Sequence, residues 1–168
     1  MANEEASYDV VHKNDIYEIR YYSERLIVET MNTSENNSFR KLFNYISGEN
    51  KTSEKIEMTI PVTQTKKNDK SYMQFYLPSK FTKETTPIPS NPNIKITSID
   101  KGYFAVIKYS GRSSDKNFIK YSKILYQKLL EDKISVNGFS IKATYNSPFT
   151  LPFFRRNEAM FNVDWKIK

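Results

Sequence analysis

A chain of 168 residues with 26 Lys and Arg against 19 Asp and Glu, a formal net charge of +7, is long enough to bury one substantial core and too short for two independent domains. Hydrophobic content is low at 38%, but 12 Tyr and 11 Phe supply much apolar area per residue, so the composition is that of a folded protein and excludes a disordered one. The absence of cysteine excludes disulfides, thiolate metal sites and cysteine nucleophiles, and a single histidine argues against a His/Cys zinc site or a Ser-His-Asp system.

The first seven residues, Met1-Ala2-Asn3-Glu4-Glu5-Ala6-Ser7, carry acidic side chains and no apolar segment follows them. They read as a short flexible lead and not as a secretory signal, which makes the cytosol the expected location. Strands are expected at about 8–13, 16–22 and 24–32, where Val, Ile, Tyr and Thr recur between turn residues. Phe39, Leu42, Phe43 and Ile46 then fall at i, i+3, i+4 and i+7, the period of an amphipathic helix. That helix is placed at about 35–48, with Ser34 or Asn36 as N-cap and Gly48 as the stop. Further strands follow at about 57–66 and 71–77, and Thr65-Lys66-Lys67-Asn68-Asp69-Lys70 reads as a hairpin loop.

The segment Thr85-Thr86-Pro87-Ile88-Pro89-Ser90-Asn91-Pro92 is incompatible with a helix, because its prolines fix the backbone and remove donors. It is read as the connector between two halves. After it come strands at about 94–99 and 102–110, then a second helix at about 115–132 with Phe118, Tyr121, Leu125 and Leu129 on one face. The helix follows the start signal Ser113-Ser114-Asp115, and Asn137-Gly138 is read as the turn after it. Strands at about 139–146 and 158–166 complete the chain. No apolar run approaches the ~18 residues of a membrane span, so none is expected.

Each half is read as two strands, a helix and two strands, over about 8–84 and 93–166, with one further strand leading the first half. The fold class expected is α+β: a distorted antiparallel β-barrel or sheet with two helices, built from two ββαββ-like pseudo-repeats in a single domain. The basic charge alone points to nucleic acid or an anionic surface. Lys and Arg are interleaved with Asp and Glu throughout, however, and no nucleic-acid motif is present, so no such partner is expected.

Four segments carry a family likeness. They are Tyr17-Glu18-Ile19-Arg20-Tyr21-Tyr22; Tyr45-Ile46-Ser47-Gly48-Glu49-Asn50 continuing to Lys55-Ile56-Glu57-Met58-Thr59-Ile60-Pro61-Val62-Thr63; Phe75-Tyr76-Leu77-Pro78; and Tyr145-Asn146-Ser147-Pro148 with Arg155-Arg156-Asn157-Glu158. In this order the chain resembles the SOUL haem-binding family. The resemblance implies a two-helix distorted barrel and a protein that binds haem or another tetrapyrrole reversibly, as a carrier or buffer and not as an enzyme; a monomer is the expected state.

Haem needs an apolar slot, cationic or hydrogen-bonding partners for its propionates and, optionally, axial ligands. The resemblance directs attention to the first helix, where Phe39 and Phe43 serve either a pocket or the core and Arg40 and Lys41 are the propionate candidates. Leu42 and Ile46 read as core. Relatives with Tyr-Glu-Ile-Arg-His-Tyr place a proposed iron ligand where this chain has Tyr21, so Tyr21 is a candidate ligand beside its plainer reading as a packing residue. Met58, within the matched central segment, is the best placed thioether. His12 reads as a solvated edge or loop residue. Arg156 is expected to pair with Glu158 or another buried carboxylate, with a propionate as the alternative partner for Arg155 or Arg156. The competing functional class is an effector-type domain or hydrolase acting on another hydrophobic small molecule, using Glu18, Glu29 or Glu57 as a pocket acid.

Overall fold

The computed structural model describes residues 3–33, 37–147 and 149–166, and these form two compact units that are not sequential halves. The first contains residues up to Ala6 together with Glu24–Asp100, the second Ser7–Ser23 together with Lys101 onward. Both combine antiparallel strands with one α-helix, as expected of an α+β chain.

In the first unit, strands β4 (Arg25–Met31), β6 (Val62–Lys67), β7 (Lys70–Tyr76) and β8 (Ile94–Ile99) form an antiparallel sheet in the order β6-β7-β4-β8. Helix α1 (Ser38–Ile46) packs on it through Leu42, Tyr45 and Ile46, which join Val28, Ile56, Phe75, Leu77, Phe81 and Ile94 in one core. The N-cap is Asn37, whose side chain makes no capping bond; Ser34 and Asn36 lie outside the described residues. At the other end Gly48 has φ +122°, the left-handed region that a side chain would strain. The β6–β7 hairpin closes on Asn68 and Asp69, both with positive φ, which is the two-residue primed turn whose twist matches paired strands.

Two expectations are corrected in this unit. The strand expected at about 57–66 is broken into β5 (Thr59–Ile60) and β6, because buried Pro61 has no N–H for a ladder. The N-terminal lead is not loose: β1 (Glu4–Glu5) pairs in parallel with β5, and the Ser79 N–H donates to Glu4 Oε2 at 2.9 Å.

In the second unit, strands β2 (Asp9–Lys13), β3 (Glu18–Tyr22), β9 (Gly102–Tyr109), β10 (Val136–Thr144) and β11 (Asn157–Val163) lie in the order β2-β3-β9-β11-β10, all antiparallel. Helix α2 (Asp115–Glu131) starts where Ser114 Oγ accepts the Asn117 N–H at 3.2 Å. Its Leu125 and Leu129 are buried against Ile19, Ala105, Ile107, Ala159 and Phe161. The pair Asn137-Gly138 is not a turn but lies inside β10, where the register with β11 shifts between Asn137 and Ile141 and Gly138 has φ +74°. Here the positive φ of glycine serves a bulge.

The repeated order of strands, helix and strands is present, but the strands that open each repeat, β2 and β3 in the first and β8 in the second, are exchanged. β3 precedes β4 in the chain yet pairs with β9, and β8 precedes β9 yet pairs with β4. The proline-rich connector therefore separates the two repeats in sequence but does not bound the compact units. Each unit's sheet is open, with unpaired end strands within the unit, and neither is a closed barrel.

Candidate functional site

Phe39, Leu42, Phe43 and Ile46 share one face of α1, but only Leu42 and Ile46 are buried in the core; Phe39 and Phe43 lie on its flank and stay half-exposed. Phe39 is 48% exposed and Phe43 47% exposed. Their rings stack at 6.0 Å with an interplanar angle of 14°, and Phe39 meets the buried Phe75 edge-on at 5.3 Å. A cavity of about 320 Å³ adjoins this pair, lined by Phe43, Ile46, Ser47, Lys55, Ile56, Glu57 and Met58. The arrangement is a half-exposed aromatic pair beside an aliphatic and thioether wall.

The same helix carries two cations. Arg40 is exposed, and Lys41 is half-buried and lines a second cavity of the unit, of about 440 Å³. Lys67, Lys70 and Lys95 also line that cavity, as do Tyr72 and the buried Glu29. Glu29 is engaged by Gln74 Nε2 at 2.7 Å and by Lys67 Nζ at 3.4 Å. The gathering of three further lysines around Lys41 was not foreseen, although the basic hairpin Lys66–Lys70 supplied part of the signal.

Tyr21 belongs to the second unit. It lies half-buried on β3 opposite Tyr103, the ring centroids 5.2 Å apart and tilted by 57°. Its neighbours along β3 do something else. Glu18, Arg20 and Tyr22 share one face of the strand, and Arg20, which bonds to both neighbours, reaches Glu158 of β11. Arg20 Nη1 and Nη2 donate to Glu158 Oε1 and Oε2, each at 2.8 Å, and Arg20 Nη2 also donates to Glu18 Oε1 at 2.7 Å. The Tyr145 hydroxyl donates to Glu158 as well, Arg156 Nε reaches it at 3.1 Å, and the Tyr8 ring lies 4.0 Å from the Arg20 guanidinium.

Electrostatics follow from this geometry. Burial works against the Arg20 charge, but Glu158, Tyr22 and Glu18 outweigh it and hold the guanidinium above its ordinary pKa. Burial would likewise raise Glu158, yet hydrogen bonds and charge from Arg20, with Tyr145 and Arg156, bring its carboxyl below the usual range. Tyr145 is raised by burial first and by the Glu158 charge next. The cluster is closed on itself and stabilises charge in the core; Arg156 is spent there, and Glu18, also 3.5 Å from Lys108 Nζ, is no free acid.

His12 is corrected from a solvated residue to a half-buried one: it lies on β2, with its ring 5.1 Å from Trp165 and 6.1 Å from Tyr17. The three rings line a cavity of about 900 Å³ in the second unit, together with Asp132 and Lys133.

The model of the SOUL heme-binding protein family matches residues 3–162, nearly the whole chain. The chain belongs to the SOUL heme-binding family. No curated protein matches it. Among solved structures, a hydrolase from Listeria innocua is similar in fold, with TM-score 0.64 at 8% identity over 92% of this chain and 94% of that one. The C-terminal domain of EcmrR is similar at TM-score 0.64 and 11% identity, over 94% of this chain and 98% of that one. SAV2435, solved bound to tetraphenylphosphonium, reaches TM-score 0.56 at 8% identity, over 88% and 93%. At such identities these likenesses establish a shared fold and nothing of ligand or chemistry.

SOUL membership makes haem the ligand class to test against the residues present. The half-exposed Phe39–Phe43 stack fits the face of a planar macrocycle, and Arg40, Lys41 and Lys55 are of the charge its propionates require. In the same unit Met58, half-buried in the cavity wall, is a thioether of the type that ligates haem iron.

Proposed function

We propose that this SOUL protein is a reversible carrier or buffer of haem or a related tetrapyrrole, bound against the outer face of α1. The observation that carries this reading is the stacking of two half-exposed phenyl rings beside an apolar cavity, on the flank of a helix whose adjoining residues Leu42 and Ile46 are core. A soluble domain gains nothing in stability by exposing such a pair, and exposed apolar platforms mark binding surfaces. Bound haem would supply an iron centre for ligation or electron exchange. The chain's own residues would supply the rest: Phe39 and Phe43 exclude water from one macrocycle face, Arg40 and Lys41 hold the carboxylates at the rim, and Met58 offers its sulfur. Tyr21 belongs to the other unit and is kept as a separate candidate oxygen ligand, apart from the α1 site.

The competing reading, a reaction on another hydrophobic molecule, would need a pocket acid. Glu18 and Glu29 are already paired, and Glu57 stands exposed at the rim of the α1 cavity. None of the three is a sequestered free carboxyl, so the geometry favours binding.

Titration of the protein with hemin and with iron-free protoporphyrin, followed in the Soret band and by Tyr/Trp quenching, tests the proposal. One saturable site for both ligands is expected, and Phe39→Ser/Phe43→Ser should weaken both about tenfold or more, the scale of one or two buried apolar groups. Affinities unchanged in the double variant would remove the site from α1.

A further inference from the structure

The segment joining β10 to β11 exposes four large apolar side chains within six residues. Phe149 is 95% exposed, Leu151 56%, Phe153 68% and Phe154 69%. Phe153 and Phe154 lie with ring centroids 4.4 Å apart at the tip of a single 3-10 turn, Pro152–Phe154. The loop is braced as a built feature. The Gly111 N–H donates to the Pro152 carbonyl at 2.8 Å, Arg155 Nε donates to the Thr150 carbonyl at 3.0 Å, and the Thr150 N–H donates to Ser147 at 3.1 Å. Bracing holds the hydrophobic tip away from the core, so its exposure is imposed by the structure.

Charge indicates what covers it. Arg155 stands at one shoulder of the loop, and the exposed Arg112 follows directly on the Gly111 anchor at the other. The chain as a whole carries +7. An apolar tip of aromatic and branched side chains, with arginines at its base, matches the layering of a bilayer surface: hydrocarbon beneath, anionic headgroups above. A protein groove would instead require the tip to find a concave apolar partner, and nothing in the surrounding chemistry selects one.

We propose that the 149–154 loop is a membrane-surface anchor that inserts Phe149, Leu151, Phe153 and Phe154 into an anionic lipid leaflet. The anchor is independent of the α1 platform. It would place the protein at an interface where apolar ligands partition.

Vesicle co-sedimentation tests this, using phosphatidylcholine vesicles with and without about one-fifth phosphatidylserine. Wild type should pellet with the anionic vesicles, and raising the salt several-fold above about 0.1 M should weaken binding, since the arginine attraction is screened. Phe149→Ser/Leu151→Ser/Phe153→Ser/Phe154→Ser should lose about tenfold or more in partitioning while keeping hemin affinity. Should that variant fold poorly, Phe149→Ser alone should lose a measurable part, and Phe149→Trp should show a blue-shifted emission on anionic vesicles. Wild type remaining in the supernatant, or the quadruple variant pelleting as well as wild type, would overturn the anchor. So would a wild-type dimer in solution that the loop variant dissociates, because the loop would then cover itself with a second copy.

Discussion

Arg20 and Glu158 lie 138 residues apart in the chain and form a two-bond pair, 2.8 Å at each oxygen, with both side chains fully removed from solvent. A charge pair this deep carries a desolvation cost that its own attraction only partly offsets, so its loss is felt mainly through the partner left behind.

Arg20→Ala or Glu158→Ala should therefore destabilise the fold by about 3–5 kcal/mol, measured by urea denaturation. Replacing both by apolar residues, Arg20→Met with Glu158→Leu, should cost less than either single change. A double variant as unstable as the sum of the singles would mean that the pair is worth more than its burial costs.

The same pair gives the acid limb of stability a definite sign. Glu158 is held below its ordinary pKa despite burial, chiefly by Arg20, so the folded state binds its proton less readily than the unfolded state does. Its contribution is complete above the unfolded carboxylate value of about 4.3 and is lost as pH falls through the lower folded value. Denaturation midpoints should fall steeply below about pH 4 in wild type and more gently in Glu158→Gln, measured against the stability of each protein near neutral pH.

At the alkaline end Tyr17 acts in the opposite sense. Burial, then the hydrogen bond to Asp132 at 2.5 Å and that carboxylate's charge, push its hydroxyl up to about 12. The folded state keeps the phenol proton more tightly, so the stabilisation is present below the unfolded tyrosine value of about 10 and fades as pH rises from there toward 12. Tyr17→Phe should lose stability at neutral pH, where the bond to Asp132 is gone, and should show a flatter decline above about pH 10 by thermal melts.

Much of this was legible because local rules act on adjacent residues. The i, i+3, i+4 spacing marks the helix and its apolar face, though it does not tell the buried Leu42 and Ile46 from the half-exposed Phe39 and Phe43, and Asn68-Asp69 announces its turn. The strand exchange was not legible, because pairing β3 with β9 rather than β4 leaves no mark in either strand's period. Gly138 misled for a physical reason: positive φ serves a bulge as well as a turn, and the residue does not distinguish them. The Arg20 cluster had a signal that went unread. Glu18 and Arg20 alternate on one face of a strand that otherwise reads as core, which requires buried partners, and Glu158 follows Arg156 at the same spacing.

Salt should separate the cations of the α1 site from its rings. Arg40→Ala/Lys41→Ala removes charge that lies partly in solvent, so hemin affinity should drop more at low ionic strength than at high. Phe39→Ser/Phe43→Ser should lose affinity almost equally at both, because the apolar contribution is not screened. Equal salt response in the two variants, measured by Soret titration, would argue against the division of roles.

Tyr21 gives the sharpest test of iron ligation. Its ring packs on Tyr103 across the β3–β9 ladder, and removing the hydroxyl leaves that contact in place. Tyr21→Phe is therefore expected to keep the wild-type ferric Soret spectrum and hemin affinity and to change stability by less than about 1 kcal/mol, since only one half-exposed hydroxyl is lost. If Tyr21 instead donates a phenolate to the iron, the wild-type ferric complex should show a high-spin phenolate band that the variant lacks, while iron-free protoporphyrin binds both proteins alike. The protoporphyrin control matters because it contains the same macrocycle and propionates without the metal. A fall in affinity for both ligands would locate Tyr21 in the pocket wall, and a fall for hemin alone would locate it on the iron.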